Sequence, residues 1–159
     1  MSVLGLSARQ RVAARARLRV AAVHVARNRG AIHYTQRGRR WDFIRNRCRP
    51  GHHAYYADCS ALSTWLLWTS TARVYGIADF VNGSSWAAGY TGTMVRHGQR
   101  IRRPRLVGDC VFYGGTRWVP GHVATYIGGG YVISHGSEAG PMIVPWAYRP
   151  VNQVRRYIR

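Results

Sequence analysis

The sequence contains no lysine: all 24 of its basic residues are arginines, set against only five acidic residues. Every basic contact it makes is therefore a planar guanidinium fork, suited to carboxylates and phosphates. The resulting formal charge of +19 draws the chain to polyanions, with nucleic acid, anionic lipid and an acid-rich bacterial wall all qualifying. Cysteine is also scarce. Three is an odd number, so a fully paired disulfide framework is excluded and at least one thiol is free. No apolar run approaches the roughly 18 residues of a membrane span. What is present excludes disorder as the main state, because 47% of the residues are hydrophobic and 12% aromatic. Collagen-like, coiled-coil and mucin-like compositions are absent too. A chain of 159 residues reads as one compact domain, 1–159, large enough to fold without a disulfide scaffold or a structural metal.

Residues 1–30 carry seven arginines, at 9, 11, 15, 17, 19, 27 and 29, which interrupt any signal-peptide apolar core. The composition is that of an Arg-rich transit peptide or a membrane-surface helix. The simpler reading is the domain's own first helix, with Val12, Leu18, Ala22 and Val25 as its apolar stripe and an end near Asn28 and Gly30.

Ile32 to Gly38 is short and mixed, and a basic loop runs on to Pro50 and Gly51. A second helix is predicted from Ser60 to about Tyr75, with Leu62, Trp65 and Leu66 inward and Gly76 as its stop. Asp79 to Gly98 reads as a loop holding at most one short helix. Strand-like runs follow at Asp109 to Tyr113, His122 to Ile127, Tyr131 to His135 and Val154 to Ile158, punctuated by Gly114-Gly115 and Gly128-Gly129-Gly130. Helices first and an antiparallel sheet second predict an α+β domain and argue against a parallel-sheet nucleotide fold.

Asp58-Cys59-Ser60 stands directly before the second helix. The positive end of a helix dipole, with its unpaired N–H groups, favours a thiolate there. His122 opens one strand and His135 closes the next. A nucleophilic cysteine, an imidazole to take its proton and a polar group to orient that imidazole make up the logic of thiol hydrolases.

Four motifs then occur in order, following Tyr34: Ala57-Asp58-Cys59-Ser60-Ala61-Leu62, Gly108-Asp109-Cys110-Val111-Phe112-Tyr113, Gly121-His122-Val123-Ala124-Thr125-Tyr126-Ile127-Gly128 and Val132-Ile133-Ser134-His135. Together they resemble the NlpC/P60 cysteine peptidases. With Ile32-His33-Tyr34-Thr35-Gln36 and Ser134-His135-Gly136-Ser137-Glu138, the chain looks particularly like the peptidase domains of actinobacteriophage lysins. The resemblance runs from about residue 10 to the C-terminus. It implies a papain-like α+β NlpC/P60 fold, with N-terminal helices packed on an antiparallel sheet, Cys59 as nucleophile and His122 as general base. Tyr34 would line the oxyanion side and the Cys59 N–H would donate to the oxyanion. Asp58 and Ser60 would fix the helix start. Family members cleave peptide bonds in the peptidoglycan stem, beside D-glutamate and a diamino acid.

In the usual family pattern the orienting residue follows the base histidine by twelve positions, which here is Ser134, with His135 one step beyond. Hairpin parity gives an independent reading. A two-residue Gly129-Gly130 loop pairs Ala124 with His135 and puts His135 on the face of His122, whereas an odd loop pairs Ala124 with Ser134. Gly-Gly suits a two-residue type I′ turn. The expected third member is therefore His135, with Ser134 as the alternative and Glu138, the only glutamate, as an outer candidate for orienting the base or contacting substrate.

Cys48, His52, His53 and Cys59 are zinc-ligand types, but their spacing is not that of a standard finger and a metal would consume the nucleophile, as would a Cys48–Cys59 disulfide. The expectation is no metal and no cofactor, with Cys110 a small buried thiol. The expected function is thus a peptidoglycan endopeptidase, lysin-like, held on anionic wall polymers by its arginines, with only non-specific affinity for nucleic acid and no transmembrane segment. It would wait in the host cytoplasm until lysis or ride in a virion. A thiol amidase or acyltransferase on the same fold is the first alternative. A basic binding or virion protein with an unused site is the second.

Overall fold

A computed structural model describes residues 4–136 and 138–159. The first helix, α1 (Ala8–Arg27), starts at a reciprocal cap: Gln10 N–H donates to Ser7 Oγ at 3.2 Å and Ser7 N–H donates to Gln10 Oε1 at 2.8 Å. Its core face is Ala14, Leu18, Ala21, Ala22 and Val25. Val12, expected on that stripe, is instead 69% exposed. Six residues advance a helix by about 600°, which leaves Val12 far round the cylinder from Leu18.

After a parallel pair formed by β1 (His33–Tyr34) and β2 (Tyr56–Ala57), with α2 (Asp42–Arg45) between them, the chain enters α3 (Cys59–Ser70). Every residue of α3 is buried, so this helix is the spine of the core rather than an amphipathic surface helix. The single helix predicted to Tyr75 breaks at Thr71 (φ −125°, ψ −76°), whose Oγ1 donates to Leu67 O at 2.5 Å, and α4 (Ala72–Tyr75) follows, closed by left-handed Gly76. Arg17 of α1 donates to Ser70 O and to the Tyr75 hydroxyl, tying the two segments to α1.

Beyond α5 (Thr91–Met94), six antiparallel strands form one sheet in the order β3-β8-β4-β5-β6-β7: β3 (Gln99–Ile101), β4 (Cys110–Tyr113), β5 (His122–Gly128), β6 (Tyr131–Ser134), β7 (Met142–Pro145) and β8 (Val151–Arg156). Strands β3 and β7 carried no distinct signal in the sequence, and the run expected at Val154 to Ile158 ends two residues short of its predicted end and starts earlier, at Val151. Alternation along β4 sends Cys110 and Phe112 into the core with α1 and α3, and Val111 and Tyr113 into a smaller cluster on the other face. Asp109 locks the sheet's start: its carboxylate accepts both Nε and Nη2 of Arg156 at 2.8 Å and the backbone N–H groups of Arg105 and Leu106.

The β5–β6 hairpin decides the parity question. Gly128 pairs with Tyr131 around the expected Gly129-Gly130 turn, but Tyr126 pairs with Val132, so Ile127 is an extra residue in the strand. That bulge shifts the register by one, and Ala124 opposes Ser134. His135 is thereby corrected off the face of His122, and Ser134 takes its place.

Candidate active site

Asp58 sits at the N-cap of α3, accepting the Ala61 N–H at 2.7 Å and the Ser60 hydroxyl at 2.9 Å through Oδ1. Its other oxygen accepts Arg40 Nη1 at 2.8 Å, and Arg40 reaches on to Gly89 O at 2.8 Å, tying the 38–41 turn, the helix start and the loop before α5 together. The cap holds Cys59 as the first residue of the helix, 7% exposed.

The thiol is not the preformed thiolate that the helix dipole alone suggests. Burial, reinforced by the Asp58 charge, pushes Cys59 up to about 11, and the N–H groups of Val123, Ser60 and Cys59 only partly oppose this. Burial likewise pushes His122 down to about 4, with Arg149 adding to the effect. Both shifts favour the neutral forms, a thiol that meets the Val123 N–H and, on the preceding residue, a neutral imidazole.

His122 opens β5 beneath Tyr113, ring centroids 5.8 Å apart. Its Nε2 lies 2.7 Å from Ser134 Oγ, while Nδ1 has no hydrogen bond to the described residues. Ser134 Oγ donates to Glu138 Oε1 at 3.1 Å and lies 2.7 Å from the Tyr148 hydroxyl, which itself donates to Glu138 Oε1 at 2.7 Å. Arg149 Nη2 donates to the same oxygen at 3.2 Å. Burial would raise the Glu138 carboxyl, but the Tyr148 hydroxyl, its own backbone, His122 and Ser134 hold it below the ordinary carboxylate value. Gly136 passes directly over the His122 ring: a Cβ there would lie 2.8 Å from His122 Cε1 and 3.1 Å from Nδ1.

The remaining expected residues gather at the same place. Tyr34, 39% exposed, accepts Gln36 Nε2 at 3.1 Å, meets the Cys59 thiol through its hydroxyl and packs edge-on against His135 at 5.3 Å. His135 is buried against the backbone of His33 and Ala57, and neither ring nitrogen makes a well-formed hydrogen bond to the described residues. Among the described residues no group of three or more His, Cys, Asp or Glu side chains could hold a metal, and Cys48, Cys59 and Cys110 are free thiols. Arg40, Gly136 and Tyr148 were missed from the sequence. Arg40 is one arginine in a basic run and Tyr148 one aromatic among several, so neither carries a distinguishing signal.

No family sequence model and no curated protein sequence matches the chain. Solved structures do. The P60 domain of Mycobacterium avium subspecies paratuberculosis antigen MAP1272c superposes at TM-score 0.56 and 18% identity, covering 94% of this chain and 96% of that one. The P60 domain of antigen MAP1204 from the same organism gives 0.55 and 18%, covering 92% and 98%. NlpC2 from Trichomonas vaginalis gives 0.55 and 19% over 89% of this chain, which spans 46% of the length of that protein. Whole-length superposition on two P60 domains, together with a helix-capped cysteine beside an antiparallel sheet, shows that the chain has the NlpC/P60 fold.

Proposed function

We propose that this protein is a cysteine endopeptidase that hydrolyses peptide bonds in the peptidoglycan stem, with Cys59 as nucleophile, His122 as base and Ser134 as the residue that orients the base. One observation carries the reading: the bond between His122 Nε2 and Ser134 Oγ uses one ring nitrogen and leaves Nδ1 unbonded to accept the thiol proton.

The chemistry follows from the neutral pair. Cys59 Sγ attacks the scissile carbonyl as its proton moves to His122 Nδ1, so that no free thiolate has to accumulate. The developing imidazolium donates from Nε2 to Ser134, whose hydroxyl donates to Glu138 Oε1. The relay thus ends on a carboxylate held by Tyr148 and Arg149. Carbonyl charge develops beside the first N–H groups of α3, with the Tyr34 hydroxyl at the same thiol. His122 then passes its proton to the leaving amine, and water hydrolyses the thioester in the reverse sense.

The substrate class rests on the fold likeness and on charge. All five carboxylates are engaged internally, Asp42 by Arg39, Asp58 by Arg40, Asp109 by Arg156, Glu138 by Arg149 and Asp79 by the N–H groups of Val81, Asn82 and Ser84. The arginine field is therefore left to hold the enzyme on an anionic wall. The same acyl-enzyme chemistry would serve an amidase or acyltransferase. Incubating the protein and its Cys59→Ala variant with isolated peptidoglycan, and identifying released fragments by mass spectrometry, tests the reading. Stem-peptide fragments from the parent alone establish the peptidase and its bond. Fragments from neither, with wall binding retained by both, leave a binding protein with an unused site.

A further inference from the structure

The inner face of α1 is fully accounted for by the core, but its outer face is built in a way that catalysis does not use. Val12, Ala16, Val20 and Val23 recur at helical spacing within an arc of about 80°, opposite the buried stripe. Val12 is 69% and Val20 53% exposed. Arg27 lies within that arc, Arg19 at its edge, and Arg15, whose Nη2 donates to Ile158 O at 2.6 Å, further round; a groove of about 570 Å³ runs along this face, lined by these three arginines with Val20, Val23 and Val107. No acidic side chain lines it, and all five carboxylates of the protein are committed elsewhere. No helix of the described residues is long and apolar enough to cross a membrane.

We propose that the outer face of α1 docks the protein onto an anionic lipid bilayer, the valines entering the acyl-chain boundary and Arg19 and Arg27 pairing with headgroup phosphates. Charge complementarity alone would serve a nucleic acid or a wall polymer equally well. The valine stripe decides between them. A hydrophilic polyanion gives exposed valines nothing to bury against, whereas an interfacial helix needs an apolar stripe flanked by arginines. Docking through α1 leaves the site at the start of α3 outside the contact, because α3 packs on the opposite face of α1.

The test is co-sedimentation of the whole protein with vesicles of phosphatidylcholine alone, and of phosphatidylcholine and phosphatidylglycerol in equal parts. The parent and the variants V12S/V20S and R19Q/R27Q are compared, with circular dichroism and melting temperature reporting that each is folded. Expected is binding to the anionic vesicles only, weakened at least about tenfold by either double substitution. Binding that V12S/V20S leaves unchanged would be electrostatic adsorption and overturns the proposal. So does retention by duplex DNA or polyphosphate without retention by vesicles, and so does binding to neither. Vesicle binding is read without turnover, so Cys59→Ala leaves it intact whether or not the peptidase reading holds.

Discussion

Ser134 stands where the imidazole of His122 needs an anion, yet its hydroxyl carries no charge; Glu138 supplies the charge from one hydrogen bond further out, at 3.1 Å from Ser134 Oγ. The two act in series, because His122 reaches Ser134 and Ser134, Tyr148 and Arg149 all donate to Glu138 Oε1. A relay in series makes a distinctive prediction. Ser134→Ala and Glu138→Gln each remove a charge-supported hydrogen bond from the imidazolium, so each lowers kcat roughly 10- to 100-fold with KM little changed. The double variant falls little further than the worse single one, since either change already breaks the chain. Independent, multiplicative losses in stem-peptide kinetics would show that Glu138 works by another route.

Gly136 gives a second test, one of position rather than charge. It is not in a left-handed conformation that only glycine tolerates, so an alanine is allowed by the backbone, but its Cβ would fall 2.8 Å from His122 Cε1. The imidazole has to move, and a displacement of the order of 1 Å at a reacting group costs about 100-fold in rate. Gly136→Ala is therefore expected to lose about that factor in kcat while its melting temperature stays close to that of the parent. A large loss of stability with normal specific activity would contradict the geometry.

Buried histidines set the acid limit. Burial lowers His122 from 6.5 to about 4, and His135 and His53 move in the same direction. The unfolded chain then binds protons that the fold refuses, so stability is full above about pH 6.5 and is lost as the pH falls from there through about 4. For His122 alone the loss is on the order of 3 kcal/mol. Urea midpoints taken from neutral to acid pH should fall across that window, and kcat/KM should hold until His122 protonates near 4 rather than near the ordinary imidazole value. A midpoint flat through that range would place these rings in water.

The candidate site was legible in the sequence motifs because Asp-Cys-Ser before a helix and a histidine at a strand start are local patterns, each fixed by capping or by alternation. Fold class was legible for the same reason, as the apolar period changes from helical to alternating near Leu106. Two kinds of feature were not legible. One is the bulge at Ile127, a one-residue insertion that leaves the Gly129-Gly130 turn intact while reversing which of Ser134 and His135 faces His122; no local residue type announces it. The other is burial. The helix dipole at Cys59 can be read from spacing, but the desolvation that outweighs it depends on α3 being enclosed on every side. Val12 failed for a related reason, since its place on α1 depends on which side the core lies.

Asp58 couples the stability of the site to its reactivity, and two substitutions separate these roles. Asparagine keeps an N-cap oxygen for the Ala61 N–H but removes the charge that Arg40 pairs with, at 2.8 Å, and that raises the Cys59 thiol. Alanine removes the cap as well. Asp58→Asn is expected to cost about 1–3 kcal/mol from the largely buried ion pair, and Asp58→Ala a further ~1 kcal/mol from the lost cap. In both, the thiol moves down from about 11, because burial remains but the neighbouring negative charge is gone. Denaturant melts measure the first effect. Iodoacetamide labelling of Cys59, followed by mass spectrometry against pH, measures the second, and the labelling curve should shift to lower pH in both variants even though they differ in stability. If labelling shifts only in Asp58→Ala, fraying of the helix start is responsible and Asp58 acts on the nucleophile through the cap alone.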